Sequence, residues 1–336
     1  EVLMGDKATA FNPEVFKKTA EEKSNARLKM WLEMCAHCGL CADTCHFYLA
    51  NERDPKMMPA YKAKKVLEAI KKNKQLDEDK LDEFFETIYG ECTMCRRCTM
   101  FCPFGIDVAS IISMARSLCV SQGKVPKQLL AAVESHLESG NQMAVTEEEW
   151  VDTLEWMEEE LQEELPGATI PIDKKGADFL YVVSAREPKF YPMDISQAAM
   201  VFYLAGADWT MSRKGWDVTN LAMFMGDIAA ATKIAKMVRD AAEELEVKRV
   251  VVTECGHALR SLQFESPIWL GRDHQFEVVH SVSLFAEYLR EGRIKLDKSV
   301  FANERCTYQD PCNVSRNGGC AQDGREIVKY LCEDFV

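Results

Sequence analysis

Long hydrophobic runs are missing from this 336-residue chain. The most apolar stretch, AAMVFYLAGA, falls far short of the roughly eighteen residues that a membrane helix needs. At the N-terminus, EVLMGDKATAFNPEVFKK has no basic start followed by an apolar stretch, so no secretory signal is read there. The missing initiator Met and the closing CEDFV read as marks of a trimmed or partial chain. Positive charge is also short: 41 Lys and Arg stand against 54 Asp and Glu, a net charge of −13. Phosphate backbones call for concentrated Lys and Arg, so a nucleic-acid partner is excluded. No G-x-G-x-x-G follows a strand-like run, which removes the usual nicotinamide and flavin fingerprint. With neither a span nor a basic amphipathic anchor, the chain is expected to reach a membrane only through a partner, with no direct insertion.

Cysteine, by contrast, is abundant: there are fourteen. Eight of them lie in two copies of one spacing, C-x2-C-x2-C-x3-C. MCAHCGLCADTCHF carries Cys35, Cys38, Cys41 and Cys45; ECTMCRRCTMFCPF carries Cys92, Cys95, Cys98 and Cys102. Clusters this tight do not fit a disulfide framework, and reduced thiols acting as metal ligands in a cytoplasmic protein are the better reading. A cubane [4Fe–4S] cluster needs four thiolates around a tetrahedron. Two intervening residues let three successive sulfurs converge on one face, while the fourth points away to the other cluster. The expected sites are therefore Cys35, Cys38, Cys41 and Cys102 for one cluster, and Cys92, Cys95, Cys98 and Cys45 for the other. Zinc, the rival metal, usually joins two separated C-x2-C pairs.

Two local differences bear on tuning. Pro103 follows Cys102, whereas His46 follows Cys45. Arg96 and Arg97 lie inside the second loop, and the first loop carries His37 and Asp43. Positive charge favours the more negative, reduced state, so the second cluster is expected to be the easier to reduce.

Along the chain, residues 1–145 read as helices punctuated by cysteine loops, with Pro59 opening one helix and Gly90 closing another. DVASIISMARSLCVSQG reads as an apolar helix that packs Cys119. Thr146 and Glu149 form a T-x-x-E capping box for an acidic helix. Residues 146–176 are read as this helix and a linker, the helix serving either as a docking surface or as a solvated bridge. From residue 177 to 336, strand-like ADFLYVV, KRVVVTE, FEVVH and SVFANERCTY alternate with helical stretches. That pattern implies βα units around a largely parallel sheet. Ligands of such sheets gather beyond the strands' carboxyl ends, where Cys255 and Cys312 fall.

Paired cysteine motifs 46 residues apart, followed by TECGHALRS and DPCNVSR, resemble the iron–sulfur subunits of the heterodisulfide reductase D-like family. The CGLCADTCHFYLANERDP stretch brings the chain nearest their DsrK-like members. The resemblance implies an α-helical ferredoxin domain followed by an α/β region of CCG-type repeats. The first repeat is degenerate, with Ser184 near its first cysteine position, GWDVTN in place of the adjacent cysteine pair, and Ala258 opposite Cys255. The second starts at Cys312 and is incomplete. Cys255 and Cys312 are then partial ligands of a catalytic cluster, a third and non-cubane one if the chain extends, with His257 a candidate proton donor. The resemblance also implies a cytochrome b-type quinone-reactive membrane subunit as one partner and a small DsrC-like thiol carrier as the other. The expected role is an electron-transfer subunit of an oxidoreductase complex, held on the cytoplasmic membrane by its partner. Two alternatives stay open: the iron–sulfur subunit of a glycolate, lactate or glycerol-3-phosphate oxidoreductase, and a plain electron-transfer module.

Overall fold

The computed structural model describes residues 11–72, 77–253 and 256–336. These form two compact units, the first ending at residue 131 and also including Leu221–Ile228, the second taking the remainder.

The first unit is helical. Its main helices are α1 (Pro13–Lys23), α2 (Ala26–Glu33), α3 (Pro59–Lys71), α4 (Glu78–Phe85) and α5 (Val108–Ser121). Local chemistry sets their starts. Asn12 caps α1 by accepting from the amides of Glu14 and Val15 at 3.1 Å, with Pro13 in the first helical turn. Pro59 opens α3, and Asp107 caps α5 by accepting from the Ser110 amide at 3.2 Å. The core gathers Phe16, Leu28, Val66, Leu81, Phe84, Phe85, Ile88, Ile111, Ile112 and Leu118. Cys119 is buried there, as the apolar helix predicts, and burial pushes its thiol up to about 12. After α4 the chain takes a wider π-type turn, Glu86–Gly90, that delivers it to the second cysteine loop.

The second unit is built on a parallel four-stranded sheet in the order β2-β1-β3-β4. Its strands are β1 (Phe179–Val182), β2 (Trp209–Thr210), β3 (Arg249–Val252) and β4 (Glu277–His280). Both faces are covered, which is why FLYV and RVVV read as unbroken apolar runs. One face, with Phe179, Tyr181 and Val251, packs with residues of the acidic helix α6 (Glu147–Glu164), of α7 (Met193–Leu204), and Leu284 and Tyr288. The other, with Leu180, Val182, Val250 and Val252, packs with Val238, Ala241 and Ala242 of α8 (Ile228–Glu244).

Two elements differ from the sequence-based expectation. The acidic helix is part of this unit's core and no solvated bridge. Trp150, Leu154, Met157 and Leu161 recur on one face and are buried, each contributing roughly 1.5–3 kcal/mol. Trp150 stacks on Trp216 at 4.2 Å and donates from Nε1 to the Ser212 carbonyl at 2.9 Å. The charge count hid this stripe. Second, SVFANERCTY supplies no strand of the main sheet: only β5 (Arg305–Cys306) is extended, and it pairs with β6 (Asp334–Phe335) in a separate ribbon.

Candidate metal centre

The two cysteine loops share a backbone as well as a spacing. In the first, His37 and Gly39 have φ of 53° and 83°; in the second, Met94 and Arg96 at the same positions have 54° and 60°. Left-handed residues at these points turn successive amides inward, forming the kind of nest that favours negative charge. The Met94 amide donates to Cys92 Sγ at 3.4 Å, and the Ile106 amide to Cys102 Sγ at 3.4 Å. Glycine adopts this conformation freely, whereas Arg96 adopts it at a cost.

The thiols gather in two sets. Burial pushes the Cys41 thiol up, a backbone amide opposes this, and negative charge on Cys35, Cys102 and Cys38 adds to the rise. Cys98 is pushed up by burial and by Cys92, Cys95, Cys41 and Cys45. Cys102 is thus among the thiols near Cys41, while Cys41 and Cys45 are both near Cys98. Cys45, Cys92, Cys95 and Cys98 line one cavity together with Lys62, Met94, Arg96 and Val108. Among the described residues no three Cys, His, Asp or Glu side chains meet at single-ion distance. Thiols surrounding a multi-iron cube stand farther apart than that. The donors fit such a group: half-buried soft sulfurs, with Cys38 exposed, are the ligands that iron–sulfur clusters take. When bound, a [4Fe–4S] cluster supplies one-electron storage at each site.

Of the two loop arginines, Arg97 lines the cavity with the second set, whereas Arg96 is paired. Arg96 does not face the thiols as a free cation: its guanidinium pairs with the buried carboxylate of Asp107, Nε lying 3.0 Å from Oδ2. Despite the cost of its own burial, Asp107 is held below the usual carboxylate range by Arg96 and Ser110. Sequence reasoning missed two other cations. Lys62 of α3 is 2% exposed; its ammonium donates to the Glu91 carbonyl and sits 4.9 Å from the Phe47 ring centre. Arg116 of α5 is fully buried. Only the apolar helix around Arg116 signalled its burial.

In the second unit, the short helix Gly256–Arg260 follows the carboxyl end of β3. Cys255 falls outside the described residues. Its neighbour Gly256 packs directly on the residues after Cys312: a Cβ there would come within 2.5 Å of Asn313 Cβ and 2.9 Å of the Val314 nitrogen. Cys312 itself begins a wide turn, Cys312–Asn317, and is half-buried. His257 stands in the short helix Gly256–Arg260. The Ser184 hydroxyl accepts from Gln142 Nε2 at 3.2 Å. The same network continues through the buried Glu187, which accepts from the Ser184 amide at 3.1 Å and the Thr253 hydroxyl at 2.6 Å. Asp217 of GWDVTN accepts from the Gln142 amide at 2.8 Å.

Comparison with known proteins agrees with this geometry. Residues 31–106 match the 4Fe-4S dicluster domain. The chain is 26% identical over 95% of its length to the Hdr-like menaquinol oxidoreductase iron-sulfur subunit of Archaeoglobus profundus. It is also 26% identical, over 96% of its length, to Hdr-like menaquinol oxidoreductase iron-sulfur subunit 2 of Archaeoglobus fulgidus. Against the D-type subunit of the dihydromethanophenazine:CoB–CoM heterodisulfide reductase of Methanosarcina mazei it is 23% identical, over 90% of this chain and 73% of that one. It spans 66% of the length of each Archaeoglobus relative. No solved structure matches it significantly. The chain is thus similar through most of its length to heterodisulfide reductase D-like iron–sulfur subunits, and its first half carries a dicluster domain for two [4Fe–4S] clusters.

Proposed function

We propose that the chain is the electron-carrying subunit of a quinol-linked complex of heterodisulfide reductase type. One cluster is held by Cys35, Cys38, Cys41 and Cys102, the other by Cys92, Cys95, Cys98 and Cys45. The observation that carries this reading is the cavity in which Cys45 of the first motif meets Cys92, Cys95 and Cys98 of the second. Each cluster is tied to the chain segment that holds the other, and Cys98 lies within electrostatic reach of Cys41 and Cys45. Two adjoining one-electron centres suit a two-electron reaction such as opening a sulfur–sulfur bond.

The partners follow from the same reading. A cytochrome b-type quinone-reactive subunit stands on one side, and a DsrC-like carrier, as disulfide or trisulfide, on the other. No helix among the described residues is long and apolar enough to cross a membrane, consistent with a peripheral place on the cytoplasmic membrane through the partner. The DsrK-like assignment draws on CGLCADTCHFYLANERDP and TECGHALRS. The packing of Gly256 on Asn313 supports Cys255 and Cys312 as ligands of one catalytic cluster, in which His257 is the candidate proton donor. The reading takes residues 1–145 as the cluster domain, 146–176 as the acidic helix and linker, and 177–336 as a CCG-type α/β region.

The test is anaerobic. The chain is reduced and mixed with the trisulfide form of a DsrC-type carrier, while EPR follows the reduced clusters. Reoxidation with release of carrier thiols supports the proposal. Reduction of the oxidised chain by its complex with glycolate, lactate or glycerol 3-phosphate, with no response to the carrier, overturns it.

A further inference from the structure

The second cysteine loop is flanked by two buried cations that the cluster reading, on which this inference rests, leaves unused. Arg116 sits in the apolar helix α5 with no exposed surface. Among the described residues its hydrogen bonds all end on carbonyls. Nη2 donates to Cys92 at 2.6 Å and to Ile88 at 3.2 Å, Nε donates to Ile88 at 3.3 Å, and Nη1 donates to Phe224 at 2.6 Å. The rings of Phe224 and Tyr89 lie 4.2 and 4.9 Å from its guanidinium carbon. Tyr89 and Ser117 fasten the segment that supplies Phe224, donating to the Met225 carbonyl at 2.6 Å and the Gly226 carbonyl at 2.8 Å. Carbonyl dipoles and ring faces solvate a guanidinium, but they do not cancel its charge.

Lys62 approaches the same loop from α3 and lines the cavity of Cys45, Cys92, Cys95 and Cys98. The Lys62 ammonium donates to the backbone carbonyl of Glu91, the residue before Cys92. Arg96, by contrast, is already matched by Asp107. Arg116 donates to the Cys92 carbonyl, and Lys62 shares a cavity wall with Cys92.

We propose that Arg116 and Lys62 are the positioning residues that set the second cluster's redox potential, their buried charges being balanced by the cluster and most fully by its reduced state. Two fixed cations in a medium of low dielectric outweigh solvent-facing ones, because neither water nor salt screens them. The second cluster is then the one with the higher potential. Electrons arriving at the pair come to rest beside Cys92. The charge reaches the cluster through the Cys92 carbonyl contact and the cavity wall, so neither residue needs to be a ligand.

The test is an EPR-monitored redox titration of the anaerobically purified chain, with iron counted on every sample. Wild type, Arg116→Gln, Arg116→Lys and Lys62→Gln are compared. Wild-type protein without iron would sink the cluster reading itself, separately from this inference. With iron intact, Arg116→Gln and Lys62→Gln should each lower the higher midpoint by a tenfold shift in equilibrium, about 59 mV for one electron, and move the other less. Arg116→Lys, which keeps the charge, should stay near wild type. If Arg116→Gln loses iron or does not fold, a lowered midpoint in Lys62→Gln with Arg116→Lys unmoved still supports the inference. Unmoved midpoints in every iron-bearing neutral variant overturn it, as does an equal fall in Arg116→Lys.

Discussion

Gly39 and Arg96 hold the same left-handed backbone conformation, with φ of 83° and 60°, each directly after the second cysteine of its loop. The two loops are copies in geometry as well as spacing. The substitution of Arg for Gly has a use: the side chain of Arg96 reaches back to Asp107, the cap of α5, and ties the loop to that helix.

Neutralising Arg96 should therefore cost stability more than potential. Arg96→Gln leaves Asp107 buried with only hydroxyl and amide partners, a loss on the order of 1–3 kcal/mol. Its shift of the higher cluster midpoint should be smaller than that of Arg116→Gln. A larger shift would return the tuning role to the loop arginine.

Exchange of the fourth cysteine gives a crossed pattern. Cys102→Ser, although in the second motif, should alter the EPR signal of the cluster held by the first. Cys45→Ser should alter the other. Each variant altering the cluster of its own motif would break the ligand sets proposed above.

Gly256 is closed against Asn313 and Val314, so Gly256→Ala must push the Cys312 turn away from the short helix. The expected loss is about 1–3 kcal/mol, read as a lower Tm. An unchanged Tm would show that the two segments separate without cost.

Much of the first unit was legible in the sequence because metal ligation imposes strict spacing and Pro and Gly mark helix ends. Cys35 to Cys45, Cys92 to Cys102, Pro59 and Gly90 all fall where chemistry of short range decides. Arg116 was not legible, since its buried role depends on Phe224, which joins the first unit from more than a hundred residues away. Nor was the burial of the acidic helix, because one apolar residue per turn is masked by its glutamates. Trp209 and Thr210 make a strand too short for any alternation to register. At Ser184 and Asp217, the hydrogen bonds to Gln142 join residues distant in the sequence, which no local pattern marks.

Acid sensitivity should follow from His280 at the end of β4. Burial pulls its imidazole down to about 4, below the ordinary value near 6.5. The neutral ring is the one the fold accepts, so stability is full above the unfolded value and is lost as pH falls toward the folded one. The contribution is on the order of 3 kcal/mol. His280 Nδ1 also accepts from the Val282 amide at 3.2 Å, a cap that Asn can replace. Between pH 8 and 5, near-UV circular dichroism of the stacked Trp150 and Trp216 should show Tm falling more steeply in wild type than in His280→Asn. Parallel slopes would remove His280 as the cause.

The most direct measurement is iron and acid-labile sulfide per chain on anaerobically purified protein, with EPR on the same sample. The account predicts about eight irons and eight sulfides, from two cubane clusters. About four irons, or zinc in their place, would contradict it; about twelve would add the catalytic site proposed at Cys255 and Cys312 to the two cubanes.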